Sequence, residues 1–182
     1  MTVTNDSAQP CTLARELLAA ILAQYALPPG GVHGAGHWAR VLENGRRLAP
    51  STGADLVVVQ LFAVFHDARR VNEGRDHGHG RRGADLGLSL RGQMTGLSDP
   101  QMSLLVYACQ HHTEGQTEAE PTVQACWDAD RLDLARVGIR LNPELLCTVA
   151  ARDPVTRRWA AERAAKWRLP GWVLDEWGID LG

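Results

Sequence analysis

The sequence predicts an all-α fold, and three observations support this prediction. Apolar residues recur at helical spacing in most segments, beginning with TLARELLAAILAQYAL at 12–27. Residues that favour helix caps, or that break helices, stand where such helices would begin and end. No stretch of the sequence shows the alternation of apolar and polar residues, bounded by turn residues, that is typical of a hairpin strand.

The predicted helices follow one another with short connections. The first covers 12–27, with Thr12 as its N-cap, and is ended by Pro28 and the proline and glycines that follow it. The second is expected to run from His37 to Pro50, because glycines flank position 35 on both sides and disfavour an earlier start. Further helices are expected at about 80–91, 99–112 (after Ser98-Asp99-Pro100), 122–136, 143–151 and 154–168.

Two segments need separate arguments. The stretch 54–70 contains LVVVQLF, which is rich in β-branched residues and is also compatible with a buried strand. Its uninterrupted length without turn residues favours a buried helix that begins near Ser51 or Asp55. The C-terminal tail carries three tryptophans, and we expect the tail to pack back onto the helices and close the core. These tryptophans are Trp167, Trp172 and Trp177.

Composition indicates one globular domain spanning residues 1–182, with a formal net charge of -2. This charge gives no general attraction to nucleic acid or to an anionic membrane, so neither is an expected partner. The N-terminus lacks the pattern of a secretory signal, no apolar run is long enough to span a bilayer, and a cytoplasmic location is expected. The cysteines have no metal-site spacing and are expected to be small apolar residues in a reducing compartment. They are Cys11, Cys109, Cys126 and Cys147.

All seven histidines lie between positions 33 and 112, which favours a functional site over scattered structural histidines. The pair His66-Asp67 ends the apolar run of 54–70. One interpretation is a metal site, because imidazole nitrogen with carboxylate oxygen suits Mn, Fe, Co, Ni or Zn. The other is an ordinary helix C-terminus, with His66 against the negative end of the dipole and Asp67 in solvent. The dipeptide by itself leaves both interpretations open.

Three motifs in order make the sequence resemble the HD-domain metal-dependent phosphohydrolase superfamily. The first is HGAGHWARV, which places His37 in an H-x-x-R-V context, and the second is FHDARR, with His66 and Asp67. The third is DADRLDLARVG, which places Asp130 in an A-D-R-L context. The resemblance covers roughly 33–140 and implies a bundle of α-helices with a metal site between the central helices. It also implies that LVVVQLF is helical.

The resemblance further implies which side chains bind metal. His37, His66, Asp67 and Asp130 are the expected ligands of a first divalent metal, with His66 and Asp67 as the expected catalytic residues. HGRRGADL and HHTEG resemble segments of the two-metal subgroup, in which His79 and His112 would be further ligands. The neighbouring His111 is the alternative to His112. One or two metals are expected, with Mg as a further candidate.

Other polar residues fit no ligand position. His33 is expected to orient a neighbouring group or to begin the second helix, and His77 has no assigned role. Asp128 is a candidate partner of a ligand. Asp133 is expected in solvent or paired with an arginine. Arg40 and Arg131 belong to the motifs and are expected to support the ligands through ion pairs.

Arginines are concentrated in the same two segments as the histidines. They are compatible with a solvated basic face, but also with a phosphate-binding cluster, because guanidinium binds phosphate through two hydrogen bonds and stays charged. The predicted phosphate-binding residues are Arg69, Arg70, Arg81 and Arg82, with Arg75 close by.

The sequence therefore predicts a phosphohydrolase acting on a nucleotide or a related small phosphate ester through a metal-activated water. Two alternatives use the same scaffold. One is a di-iron oxygenase, which the set of four histidines and two aspartates would also serve. The other is a non-catalytic module that binds a nucleotide or metal as a sensor. The sequence leaves the oligomeric state open.

Overall fold

The computed structural model describes residues 15–180, and within them all regular structure is helical. The predicted all-α class is therefore confirmed. The α-helices, in chain order, are α1 (Arg15–Leu22), α2 (Ala35–Thr52), α3 (Leu56–Phe65), α4 (His79–Ser89), α5 (Asp99–His111), α6 (Pro121–Arg131), α7 (Val149–Arg152) and α8 (Pro154–Ala165). Short 3-10 turns cover Arg91–Gln93, Leu134–Val137 and Pro143–Leu145, and a single π turn covers Val173–Trp177.

Helix α3 is the centre of the bundle. It contacts α1, α2, α4, α5 and α6, and residues on all its faces, such as Val58, Phe62 and Phe65, are buried. The helix begins where Asp55 accepts hydrogen bonds from the backbone N–H groups of Val57 and Val58. The helical interpretation of LVVVQLF is thus confirmed, with Asp55 as its cap. A helix that is apolar all round is stable here because neighbouring helices cover it.

Helix α2 begins earlier and ends later than predicted. It starts at Ala35 and includes Gly36, because the backbone N–H of Ala35 bonds to the carbonyl of Pro29 and holds the entering loop in place. It also continues through Pro50, since a proline in the last turn loses one hydrogen bond without breaking the preceding turns. The helix stops at Gly53, whose φ of 70° is left-handed.

The segment predicted as one helix at 143–151 is two separate turns. The buried carboxylate of Asp128 accepts hydrogen bonds from the backbone N–H groups of Cys147 and Thr148, and Thr148 has an extended conformation. Thr148 then caps the short helix α7 through its side chain. A contact from another helix has overridden local propensity here. The predicted helix at 122–136 likewise ends at Arg131 and resumes only as a 3-10 turn.

Three further helix predictions match the structure closely. Helix α5 follows Ser98, which forms a capping box with Gln101, and the ends of α4 and α8 differ from the predicted ends by at most three residues. The first predicted helix does not reach residue 27 as expected, because α1 ends at Leu22 and a turn follows; its proposed cap Thr12 lies outside the described residues.

The tail packs onto the bundle as predicted, with one exception. Trp177 is buried, and the indole N–H of Trp172 donates to Glu43 on α2. Trp167 is instead 45% exposed. Cys109 and Cys126 are buried free thiols and Cys147 is half-buried, as expected of small apolar residues, whereas Cys11 lies outside the described residues. None of the described helices combines the length and the apolar character needed to cross a membrane.

Candidate metal centre

A first group of ligand atoms lies where the start of α2, the end of α3 and α6 meet. The Nε2 atoms of His37 and His66 are 3.0 Å apart. Asp67 Oδ2 lies 3.6 Å from the first of these atoms and 3.7 Å from the second. Asp130 Oδ1 completes the group at 3.4 Å from His37 Nε2 and 3.8 Å from His66 Nε2. The four predicted ligands of the first metal are therefore brought together.

A second group lies on the other side of the Asp67 carboxylate. Its Oδ1 atom is 3.1 Å from His79 Nε2 and 3.9 Å from His112 Nε2. The two imidazole Nε2 atoms are 2.9 Å apart. Asp67 thus directs one oxygen into each group. His111 is not part of this group, because its ring pairs with Glu114 near the surface, so the geometry favours His112.

Every histidine of the centre has its Nδ1 atom occupied. His66 Nδ1 donates to the carbonyls of Phe62 and Ala63 in the last turn of α3. The Nδ1 atoms of His79 and His112 face the carbonyls of Asp76 and Cys109 at 2.6 and 2.7 Å, and that of His37 faces Asp133 Oδ2 at 2.7 Å. Carbonyl and carboxylate oxygens only accept hydrogen bonds, so each Nδ1 carries the proton. Each Nε2 lone pair therefore points into the centre.

This arrangement fits metal ions. Two unprotonated Nε2 atoms at 2.9–3.0 Å repel each other unless a cation or a proton lies between them. Ligand atoms held at about 2.1 Å from a metal are separated by roughly 3.0 to 3.4 Å. The observed separations of 2.9–3.9 Å bracket that range. Imidazole nitrogen with carboxylate oxygen is a donor set for Mn, Fe, Co, Ni or Zn.

The protonation states of these groups also suit metal binding. Burial lowers the pKa of His66 to about 3, and burial likewise lowers the pKa of His112. Burial opposes ionisation of Asp67 and Asp130, but the surrounding histidines hold the pKa of both carboxyl groups well below the usual value. Burial also opposes the charged form of His79, but the Asp67 carboxylate outweighs it and raises the pKa of His79. Of these five groups, His79 is therefore the one at which a metal competes with a proton.

Two glycines allow α4 to bring His79 into the centre. A Cβ atom on Gly80 would lie 2.1 Å from the carbonyl oxygen of Cys109 and 2.9 Å from the His112 ring. A Cβ atom on Gly83 would lie 2.2 Å from the carbonyl oxygen of Phe65. At Gly80 and Gly83, helix α4 therefore lies closer to the backbone at the ends of α3 and α5 than a residue with a side chain would allow.

The residue that holds His37 in place is Asp133, which the sequence did not predict as a partner of a metal ligand. Asp133 is buried and also accepts hydrogen bonds from Arg40 Nε at 2.7 Å and from Arg40 Nη2 at 3.1 Å. The expected support by Arg40 is therefore present, acting through Asp133. Burial opposes its ionisation, but His37 and Arg40 lower the pKa of Asp133. Of the two expectations for Asp133, pairing with an arginine is confirmed, and a position in solvent is wrong.

Two other supporting roles are not observed. Asp128 binds the backbone and hydroxyl of Thr148 and the backbone of Cys147, which places it away from the ligands as a structural residue. Arg131 donates to the carbonyls of Gln116 and Leu145 instead of pairing with a carboxylate. Both residues secure the chain that follows α6.

The predicted phosphate-binding arginines do not converge. Arg70 is buried, with Nη1 at 3.3 Å from both Asp67 Oδ1 and His79 Nε2. Arg69 donates to the carbonyl of Gln24, and Arg82 binds the carboxylate of Asp76; within residues 15–180 neither contacts a predicted ligand. Arg81 and Arg75 are exposed. A cluster of four arginines around the metals is therefore not what the structure shows, and Arg70 alone of the four adjoins the ligands.

The remaining histidines lie outside the two groups. His33 Nδ1 lies 2.6 Å from Glu73 Oε2, so His33 orients a neighbouring group, which was one of its two expected roles. The other expected role is wrong, because α2 begins at Ala35. His77 is exposed, and its backbone carbonyl accepts from Arg82. Neither Glu73 nor Asp76 was predicted to take part, although both stand in the polar segment VNEGRD that directly follows the HD motif.

Comparison with known proteins gives one line of support for the fold. No protein-family model matches the chain, and no curated protein matches it. A solved structure that matches is the crystal structure, at 1.45 Å, of a predicted HD superfamily hydrolase from an uncultured Thermotogales bacterium. The TM-score is 0.63, with 24% sequence identity over 85% of this chain and 88% of that chain. The chain therefore shares its fold with that structure, as the motifs predicted.

Proposed function

We propose that this protein is a metal-dependent phosphohydrolase that acts on a nucleotide or a related small phosphate ester. The observation that carries the proposal is the Asp67 carboxylate, which directs Oδ2 toward His37 and His66 and Oδ1 toward His79 and His112. Paired metal positions joined by one carboxylate are typical of enzymes that hydrolyse phosphate esters. The name of the solved structure with the same fold, a predicted hydrolase, agrees with this reaction class.

In this proposal His37, His66, Asp67 and Asp130 hold one divalent metal, and Asp67, His79 and His112 hold a second. When bound, such metals lower the pKa of a coordinated water toward neutrality and neutralise charge on phosphoryl oxygens. The protein's own contribution is to hold four imidazole rings by their Nδ1 atoms, so that little rearrangement is needed when metal and substrate bind.

Access and charge indicate where the phosphate would lie. The side chain of Asp130 keeps 16% of its surface exposed, whereas those of His37 and His66 have 0%. Substrate would thus reach the centre from the Asp130 side. Arg70 lies beside the second group, and its positive charge there would attract an anionic phosphoryl group, while its Nε and Nη2 atoms donate to the carbonyls of Asn72 and Gly74. This arginine favours an anionic substrate over the oxygenase alternative, which shares the same ligand set.

The test is release of phosphate from nucleotides, dinucleoside polyphosphates and sugar phosphates with added Mn, Co, Ni or Mg. The Asp67→Ala variant, shown to be folded, runs beside the parent, with His77→Ala as the control because His77 is exposed and outside both groups. We expect metal-dependent release by the parent and by His77→Ala, and none by Asp67→Ala.

Other results would overturn the proposal in defined ways. Equal release by Asp67→Ala would show that the centre does not perform the reaction. Bound iron with oxygen uptake on adding substrate would assign an oxygenase. Tight nucleotide binding without turnover under any of the metals would assign a sensor.

A further inference from the structure

A cleft of about 540 Å³ lies away from the metal centre, between α8 and the chain that follows α6. Most of its wall is apolar, including Leu132, Ile139 and Leu141. Ile139 is 52% exposed, so the wall is open to solvent and available to a ligand. The volume lies within the range of about 300 to 1,000 Å³ that is typical of small-molecule sites.

Three arginines line the same cleft: Arg140, Arg157 and Arg158. Arg157 donates a hydrogen bond from Nε to the carbonyl of Arg152, and its two Nη atoms take no part in that bond. Arg140 and Arg158 are exposed and, within residues 15–180, their side chains form no hydrogen bond or ion pair. No carboxylate is among the residues that line the cleft. Its positive charge is therefore uncompensated by the cleft itself.

We propose that this cleft binds a small amphipathic organic anion. A phosphate or carboxylate head group would pair with the guanidinium groups, which bind both anions through paired hydrogen bonds. An aliphatic or aromatic body would cover Leu132, Ile139 and Leu141 and remove them from water. Neither an inorganic anion nor a neutral apolar molecule would use both parts of the cleft.

The cleft is independent of the proposed hydrolytic reaction, although it adjoins the same segment of chain. Leu132 stands between Asp130, a predicted metal ligand, and Asp133, which holds His37. None of the predicted metal ligands lines the cleft. Binding there should therefore persist when the metal centre is disabled, and this separates the two proposals experimentally.

The experiment is calorimetric titration of the whole, metal-free protein with octyl phosphate and octanoate, each below its micelle concentration. Inorganic phosphate and octanol serve as probes of the head group and of the body alone. We expect one site per chain, with affinity at least tenfold higher for an octyl anion than for either partial probe. Binding of only one octyl anion would identify the head group, phosphate or carboxylate, that the arginines select.

Matched variants locate the site. Arg158→Gln should weaken binding about tenfold, which corresponds to the lower end of the free energy of a charge-assisted hydrogen bond. Lys166→Gln removes an exposed charge just beyond α8 and should leave the affinity unchanged. Ile139→Ser should weaken binding of the octyl anions, while Val149→Ser, at a position that is 84% exposed and outside the cleft, should not.

Asp67→Ala should bind the octyl anions as the parent does. The proposal is overturned if neither anion binds, if inorganic phosphate binds as tightly as octyl phosphate, or if Lys166→Gln weakens binding as much as Arg158→Gln. It is also overturned if Asp67→Ala abolishes binding, because the anion would then occupy the metal centre.

Discussion

Replacing Asp133 by asparagine should weaken metal binding without removing any ligand. In the parent, Asp133 holds the Nδ1 of His37 at 2.7 Å and is itself held by two hydrogen bonds from Arg40. An asparagine keeps one acceptor oxygen but turns an NH₂ group toward either the imidazole N–H or the guanidinium, both of which are donors. His37 would then lose its fixed orientation or its tautomer.

The size of the effect follows from these contacts. Loss of a hydrogen-bond partner behind a metal-binding histidine weakens metal affinity by about 10- to 100-fold, which corresponds to about 1.4 to 2.7 kcal/mol. Arg40 is also buried, and removing its carboxylate partner leaves a positive charge uncompensated, so the metal-free protein should lose about 3 kcal/mol of unfolding free energy.

Asp128→Asn is the matched control. It changes another buried aspartate of the same region, but one that binds the backbone of Cys147 and Thr148 and no ligand. Both variants should be less stable in denaturant titrations, and only Asp133→Asn should lose affinity in a competition assay with a metal-chelating dye. Equal metal affinities for the two variants would refute the proposed role of Asp133.

Three further predictions concern the second ligand group and its surroundings. Arg70→Gln removes a positive charge 3.3 Å from both Asp67 Oδ1 and His79 Nε2, so the second metal should bind at least about tenfold more tightly in a calorimetric titration; unchanged affinity would contradict the assigned contact. Gly80→Ala forces a methyl group against the Cys109 carbonyl and the His112 ring. This substitution should lower the unfolding free energy by about 1–3 kcal/mol and abolish binding of the second metal. Gly87→Ala, whose methyl group would make ordinary contacts at 3.7–3.8 Å, should be tolerated, and equal effects of the two alanines would contradict the packing argument. Burial opposes ionisation of Asp76, but its Arg82 partner lowers the pKa of this carboxyl. The ion pair therefore stabilises the fold at pH values above the unfolded-state pKa, which is near 4, and this stabilisation is lost as the pH falls below that value. Asp76→Asn should therefore be less stable than the parent by about 1 kcal/mol at pH 7, and this difference should shrink as the pH falls below about 4; a difference independent of pH would contradict the ion pair.

Local signals in the sequence were sufficient for most of the fold. The capping box of Ser98 and Gln101 and the cap formed by Asp55 are short-range features, and both helices begin where these residues predict. Prediction failed at 143–151 because a buried carboxylate about 20 positions earlier, Asp128, captures the backbone there. No local pattern at 143–151 reveals that contact.

The same distinction applies to the candidate site. The six predicted ligands follow from motifs whose order is visible in the chain, and the structure brings all six side chains together. The contact of Asp133 with His37 joins residues 96 positions apart, and its residue type alone is equally compatible with a surface ion pair. The arginines were overcounted for a related reason: a run of guanidinium groups has the same sequence whether it faces a substrate or, like Arg82, a carboxylate of its own chain.

The most direct test of the central claim is the number of manganese ions retained per chain after loading and gel filtration, measured by elemental analysis. We expect two manganese ions for the parent, one for His112→Ala and none for Asp67→Ala, because Asp67 supplies an oxygen to both groups. Each variant must first be shown to be folded. If Asp67→Ala retained as much metal as the parent, Asp67 would not join two metal positions, and the proposed centre would be wrong.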